Sequence, residues 1–204
     1  MHLFLIRHGE TDWNSEGRIQ GHTDTPLNAR GILQAQQLAA RLAGEQIDAL
    51  YTSPLARART TAEIIARQTG IAAICDERLK EKGIGELEGM TADEFRQRYP
   101  DLFAQWHANA TRVDLPGEEN IAVFHQRTHT FLTDLHARHA DAARVGIVSH
   151  GGTLGMLVAT MIGLDIARRF PFWFDNASIT RVEFNATRPR IRLLNDTCHL
   201  NGTK

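Results

Sequence analysis

Several things are scarce in this sequence, and each scarcity narrows what the protein can be. Only two residues are cysteine, Cys75 and Cys198. So distant a pair cannot staple a disulfide-rich scaffold or supply a four-thiolate zinc site, and both are expected to be free thiols in a reducing compartment. No apolar run approaches the ~20 residues that a membrane helix needs. The opening segment has one short apolar stretch, Leu3–Ile6 plus Met1, without a charged leader or a small-residue cleavage site, so no secretory signal is expected. An excess of one charge is missing too. The 23 Lys and Arg balance 24 Asp and Glu, a net charge of −1, which leaves no global field to draw the chain to nucleic acid or an anionic membrane. Repeats, low-complexity tracts and linkers are absent. The 42% hydrophobic and 23% charged residues exclude bulk disorder. A cytoplasmic chain with one domain over residues 1–204 is expected.

What is present alternates between short apolar runs and longer amphipathic ones. Leu3–Ile6, Ala49–Thr52 and Val145–Val148 have the continuous apolar character of buried strands, and Ile71–Cys75 is a further candidate. Asn28 is expected to cap a helix facing inward through Ile32, Ala35, Leu38, Ala39 and Leu42. Ser53-Pro54 is expected as the N-cap and first position of a helix that stops at Gly70. Thr91 and Glu94 form a capping box for a short helix ending before Pro100. A long helix from about Asn120 to His139 is expected to bury Val123, Phe124, Phe131 and Leu135, and Gly151-Gly152 opens another that ends at Gly163. Ile179–Phe184 and Ile191–Leu193 suggest a closing hairpin. This alternation predicts an α/β fold, a three-layer sandwich with a mostly parallel central sheet and helices on both faces.

In such a sheet, ligands sit beyond the carboxyl ends of the strands. Arg7-His8-Gly9 follows the first strand, Ser53-Pro54-Leu55-Ala56-Arg57 the second, and Ser149-His150-Gly151-Gly152 the Val145–Val148 strand. Two histidines and two arginines thus reach one rim. Guanidinium forks and helix N-termini bind phosphate oxygens. A neutral imidazole beside them can attack phosphorus, and the arginine charge disfavours the imidazolium that would block it. Arginines also stabilise the equatorial oxygens of a transferring phosphoryl group.

The ordered motifs resemble the histidine phosphatase superfamily, in its phosphoglycerate-mutase-like branch. Leu5-Ile6-Arg7-His8-Gly9-Glu10-Thr11-Asp12-Trp13-Asn14 resembles the family signature. Arg18-Ile19-Gln20-Gly21 with Asp24-Thr25-Pro26-Leu27, then Ser53-Pro54-Leu55-Ala56-Arg57-Ala58, resemble its next blocks. Leu79-Lys80-Glu81 with Gly85 and Glu88-Gly89 resembles its general-acid loop, Val148–Gly152 its second-histidine block, and Asp175–Ser178 its late loop. The resemblance spans nearly the whole chain and implies a metal-independent phosphomonoesterase that needs no cofactor. It implies His8 as nucleophile, Arg7, Arg57 and His150 as phosphoryl-holding groups, and Glu81 as general acid and then base. Asn14, Gln20, Gly21 and Gly151 are assigned to substrate binding, and a helical segment at about 90–120 to covering the substrate. A small phosphorylated metabolite is the expected partner, with nucleic acid and membrane excluded and homodimer formation left open.

Three departures fall on the substrate side. Leu87 stands where an aromatic residue is usual, Lys82 follows Glu81, and the usual Pro-Gly-Gly-Glu-Ser run reads Pro116-Gly117-Glu118-Glu119-Asn120. Alternatives stay open at several positions. Glu77, Glu86 and Glu88 rival Glu81 by spacing. Arg59 is either a second anion contact or a solvated helix residue, and His22 either lines the mouth or faces water. Phe103 and Trp106 are either core or pocket. His125, His129, His136 and His139 read as a half-buried face more readily than as a metal site. A 2,3-bisphosphoglycerate-dependent phosphoglycerate mutase has the same catalytic set, and a non-catalytic module would hold a phosphorylated ligand without turnover. The short stretch between Glu81 and His150 and the short tail favour a pocket open to water, hence hydrolysis over mutase transfer.

Overall fold

Leu3 and Leu5 point to one face of a sheet and Phe4 and Ile6 to the other, and all four are buried, so the first strand must be covered on both sides. In the computed structural model, which describes residues 1–108, 112–139, 143–168, 170–185 and 188–200, the elements are β1 (His2–Arg7), α1 (Asp12–Ser15), α2 (Ala29–Leu42), β2 (Ala49–Thr52), α3 (Ala56–Thr69), β3 (Ala73–Cys75), α4 (Ala92–Arg98), α5 (Pro100–Ala108), α6 (Ile121–Arg138), β4 (Arg144–Ser149), α7 (Gly151–Ile162), β5 (Ile179–Asn185) and β6 (Arg188–Asp196). The sheet order is β3-β2-β4-β1-β5-β6. The first four strands run parallel, and β5 and β6 close the sheet as an antiparallel hairpin on β1.

One face packs Leu3, Leu5, Tyr51, Val145 and Ile147 against Phe131 and Leu135 of α6 and Leu154 and Leu157 of α7. The other packs Phe4, Ile6 and Leu50 against Leu38 and Leu42 of α2 and Ala58 and Ile65 of α3. Each such fully buried aliphatic or aromatic side chain contributes roughly 1.5–3 kcal/mol, so the two cores hold the central strands rigid. The result is the expected three-layer α/β sandwich. β2, β4 and β1 are neighbours with Arg7 paired to Ser149 and Thr52 to Val148. The residues after these three strand ends therefore emerge side by side.

The elements differ from the sequence expectation in three places. Ser53 does not cap α3. The helix starts at Ala56 with Leu55 at the N-cap, because Asp24 Oδ1 accepts the Ala56 N–H at 2.6 Å while Ser53 Oγ is committed to His150 and the Leu55 N–H. Val123 is not inward but 58% exposed. The buried stripe of α6 runs through Phe124, Thr128, Phe131 and Leu135, and a residue one step away is turned by about 100° on a helix of 3.6 residues per turn. β3 is shorter than expected, beginning at Ala73, with Ile71 packed beside the core ahead of it.

The loop after β1 is pinned to the start of α2 by backbone contact. Asn28 caps α2 through the Gly31 N–H and donates its own N–H to the Glu10 carbonyl. A Cβ at Gly31 would lie 2.0 Å from the Glu10 carbonyl oxygen and 2.7 Å from its nitrogen. Gly31→Ala gains about 1 kcal/mol of helix propensity but drives a methyl into backbone that has nowhere to go, at a cost of about 1–3 kcal/mol or more. The expected outcome is net destabilisation in urea unfolding together with lost activity, since the yielding backbone adjoins His8. A stabilised and fully active variant would show that this close approach does not position the loop.

Candidate active site

His8 leaves the end of β1 and is buried. Its Nδ1 lies 2.7 Å from the Gly9 carbonyl oxygen. A carbonyl only accepts, so Nδ1 carries the proton and Nε2 carries the lone pair. Burial first, then the Arg57 and Arg7 charges, hold the ring's pKa well below its ordinary value. The ring stays neutral, with a defined tautomer.

His150 faces it, with ring centroids 5.2 Å apart. Its Nδ1 accepts from Arg57 Nε at 3.2 Å, so Nε2 donates to Ser53 Oγ at 2.8 Å. Burial, Arg57 and His8 push its pKa well down too. Arg57 is almost fully buried, and burial lowers its pKa to about 10 against the pull of Glu81 and Asp24. Besides Nε, one N–H on each terminal nitrogen is spent, on the Thr23 and Gly21 carbonyls, both at 2.8 Å. The two remaining N–H groups of the five-donor fork are left for a ligand. Arg7 is held by the Phe174 carbonyl at 2.5 Å, and its buried Nε has no partner among the described residues. A buried donor left unpaired costs about 1–3 kcal/mol, a cost that an oxyanion at this point relieves.

His8, Arg57 and Arg7 line one cavity of about 450 Å³, together with Asn14, Gln20, Gly21, Glu81 and Gly151, whereas His150 is fully buried and does not line it. Asn14 Oδ1 accepts from Thr11 and from Asn176 Nδ2, which leaves the amide nitrogen as the end available to a ligand. Gln20 accepts from Thr25 Oγ1, and Gly21 contributes the carbonyl that holds Arg57.

Of the four neighbouring glutamates, Glu81 alone lines this cavity. Glu77 pairs with Lys80, and Glu86 accepts from Tyr99. Glu88 accepts from the backbone of His22, Thr23 and Ile84 and from the Thr23 hydroxyl. Burial alone would raise the Glu88 pKa, but these donors outweigh it and hold it low. Glu88 thus shapes the 21–23 turn that grips Arg57. The Glu81 carboxyl sits on the N-terminus of α7, accepting from the Gly152 and Thr153 N–H groups, each at 3.0 Å, which fix its position.

Sequence reasoning missed the group that holds the Glu81 backbone. All five N–H donors of Arg127 are used: on the carbonyls of Arg78, Lys80 and Glu81 and on both oxygens of Glu119. No local motif marks Arg127, because its partners are backbone atoms far along the chain. His22 adds an Nε2 bond to the same Glu81 carbonyl, a position the sequence left open. Arg59 is a solvated helix residue paired with Glu63. Phe103 and Trp106 pack on Phe95 and do not line the cavity. His125 and His129 stand 5.7 Å apart, His136 bonds to the Leu132 carbonyl and His139 to Tyr51. Among the described residues no three His, Cys, Asp or Glu side chains are grouped to hold a metal ion. No described helix is long and apolar enough to cross a membrane.

Comparison with known proteins shows the family. The family model of the histidine phosphatase superfamily (branch 1) matches residues 3–197, and the chain belongs to that family. It is 35% identical over 198 residues to phosphoserine phosphatase 1 of Hydrogenobacter thermophilus, covering 97% of this chain and 93% of that protein. It is 38% identical over 158 residues to phosphoglycerate mutase-like protein 4 of Arabidopsis thaliana, covering 76% and 68%. The solved structure of mycobacterial glucosyl-3-phosphoglycerate phosphatase with VO3 superposes with a TM-score of 0.88 at 30% identity, covering 96% of this chain and 99% of that one.

Two tests follow from the geometry. Ring-resolved NMR titration is expected to find His8 and His150 neutral at pH values where solvated histidines are already protonated. The unfolded chain takes up protons near 6.5 at these positions and the folded chain does not. Their contribution is therefore full above about 6.5 and is lost as pH falls from there toward their depressed folded values. Titration of either ring near 6.5 would contradict the buried, cation-flanked environment. Second, a Cβ at Gly152 would sit 2.5 Å from Glu81 Oε1. Gly152→Ala displaces a flexible carboxylate tip, so thermal stability is expected to change little while kcat falls about tenfold or more. Unaltered kcat would mean that the Glu81 docking position has no part in turnover.

Proposed function

We propose that this protein hydrolyses phosphomonoesters of small metabolites through a covalent phosphohistidine on His8, without a metal ion. The observation that carries the reading is the His8 Nδ1–Gly9 bond in a buried, doubly cationic setting. It presents a neutral Nε2 lone pair where a phosphoryl group would be held by Arg57 and Arg7. In the first step Nε2 attacks phosphorus, the P–O bond to the ester breaks, and the leaving alkoxide takes a proton from the Glu81 carboxyl. In the second, Glu81 accepts a proton from water, the new oxygen attacks phosphorus, the Nε2–P bond breaks, and phosphate leaves. The fixed guanidinium charges do the work that a metal does in other phosphoryl-transfer sites. His150 acts largely by holding Arg57, and Asn14 adds an amide donor. Relatives named phosphoserine phosphatase and glucosyl-3-phosphoglycerate phosphatase support a small phosphorylated metabolite as substrate.

A mutase forms the same intermediate and differs only in what accepts the phosphoryl group. The mouth of the cavity favours water: Trp173 at its rim is 73% exposed. Arg112, from the segment at about 90–120, lines the cavity, which supports a covering role for that segment. Both exposed cysteines are free, in keeping with a cytoplasmic setting.

The acid role of Glu81 is tested by leaving-group dependence. Glu81→Gln is expected to slow hydrolysis of alkyl phosphates by about 10²–10⁴-fold, but that of nitrophenyl phosphate far less, because nitrophenolate needs almost no proton. Equal losses on both would move the acid to another group. Activity is expected to survive exhaustive chelation; loss restored by a divalent ion would overturn the metal-free reading.

A further inference from the structure

The cavity has two unlike ends. The inner end, with His8 and Arg57, is buried and cationic. The outer end is walled by Phe170, Phe172 and Trp173 from the segment after α7, Phe124 from α6, and Ile19 and Ile84. A volume of about 450 Å³ falls in the range of sites that enclose ligands much larger than a phosphate. Most of the space therefore belongs to the leaving group.

The cations of the outer end are already engaged. Lys82 Nζ pairs with Glu118 at 2.5 Å, and both side chains are at most 10% exposed. Two of the departures noted in the sequence are thus the two halves of one ion pair. Arg18 is shared between Glu16, Glu94 and the Gly89 carbonyl. Arg112 donates through Nε to the Ile166 carbonyl, and its guanidinium carbon lies 4.6 Å from the centre of the Phe170 ring, a packing that extends the aromatic wall. Lys82 and Arg18 are already neutralised by carboxylates and so offer a carboxylate on the leaving group little net charge, whereas a flat apolar group would add to the wall.

We propose that the preferred substrate is a phosphomonoester of an alcohol carrying an uncharged, flat aromatic or heteroaromatic group, which lies along the Phe170–Phe172–Trp173 wall, and not a phosphorylated amino acid or sugar acid. This rests on the hydrolase reading above and adds the chemical class of the leaving group. The chemistry at phosphorus is unchanged; only the alcohol released differs.

The test is a set of primary alkyl phosphates, so that leaving-group basicity changes little: 2-phenylethyl phosphate, ethyl phosphate, glycerol 3-phosphate and phosphoserine. The kcat/KM for 2-phenylethyl phosphate is expected to exceed each of the others by about tenfold or more, the scale on which an apolar pocket discriminates. Trp173→Ala, at an exposed position whose side chain donates only to Asp175, is expected to shrink that advantage by about fivefold, chiefly through KM. Preference for phosphoserine, or a preference untouched by Trp173→Ala, would overturn the proposal. Failure to hydrolyse any member of the set would instead overturn the hydrolase reading itself.

Discussion

The hydrogen bond from His8 Nδ1 to the carbonyl of the next residue is the constraint on which the rest of the site depends. It is short, local and buried, and it decides which ring nitrogen keeps its lone pair. It works only if the His8–Gly9–Glu10 backbone cannot drift. That backbone is held by the β1–β4 register, by the Ala177 N–H and Asn176 amide bonding to the His8 carbonyl, and by the approach of Gly31. The two apolar cores keep the strand ends in place. The tautomer of one imidazole is thus tied to the packing of the whole sheet.

Around that ring, cations are gathered where water is scarce. Burying arginine is costly, and the lowered pKa of Arg57 records the cost. The guanidinium is kept in place by carbonyls of the 21–23 turn, which Glu88 in turn organises, and by a neutral His150. On the opposite wall, Arg127 holds three carbonyls of the 78–81 backbone so that Glu81 reaches the start of α7. The groups of the candidate site are therefore oriented by a surrounding layer of charged side chains that bond mainly to backbone, which fixes their geometry in advance of any ligand.

That surrounding layer is also what the sequence hid. Arg7, His8, Arg57 and His150 were legible as candidates because short buried runs end immediately before them or their turn, and the topology of a parallel sheet brings such ends together. Helix signals with a single meaning held up, as at Asn28, the Thr91–Glu94 box, Gly70 and Gly163. Ser53-Pro54 misled because a serine before proline reads as a cap, whereas its hydroxyl is taken by a histidine 97 positions away. Arg127 carried no signal, since a charged residue bonded to distant carbonyls looks in sequence like any solvated one, and Glu88 and Glu119 were visible only as a rival acid and as part of a departing run. Lys82 and Glu118 were visible only as separate departures, because pairing across 36 positions is a tertiary fact.

The most direct test of the central claim is the position of the phosphoryl group on the His8 ring. Rapid denaturation during turnover, followed by alkaline digestion and phosphorus-coupled NMR of the modified peptide, distinguishes the two ring nitrogens. The account predicts an acid-labile, base-stable phosphoryl group on His8 Nε2. Phosphate on Nδ1, on His150, or on no histidine at all would contradict it.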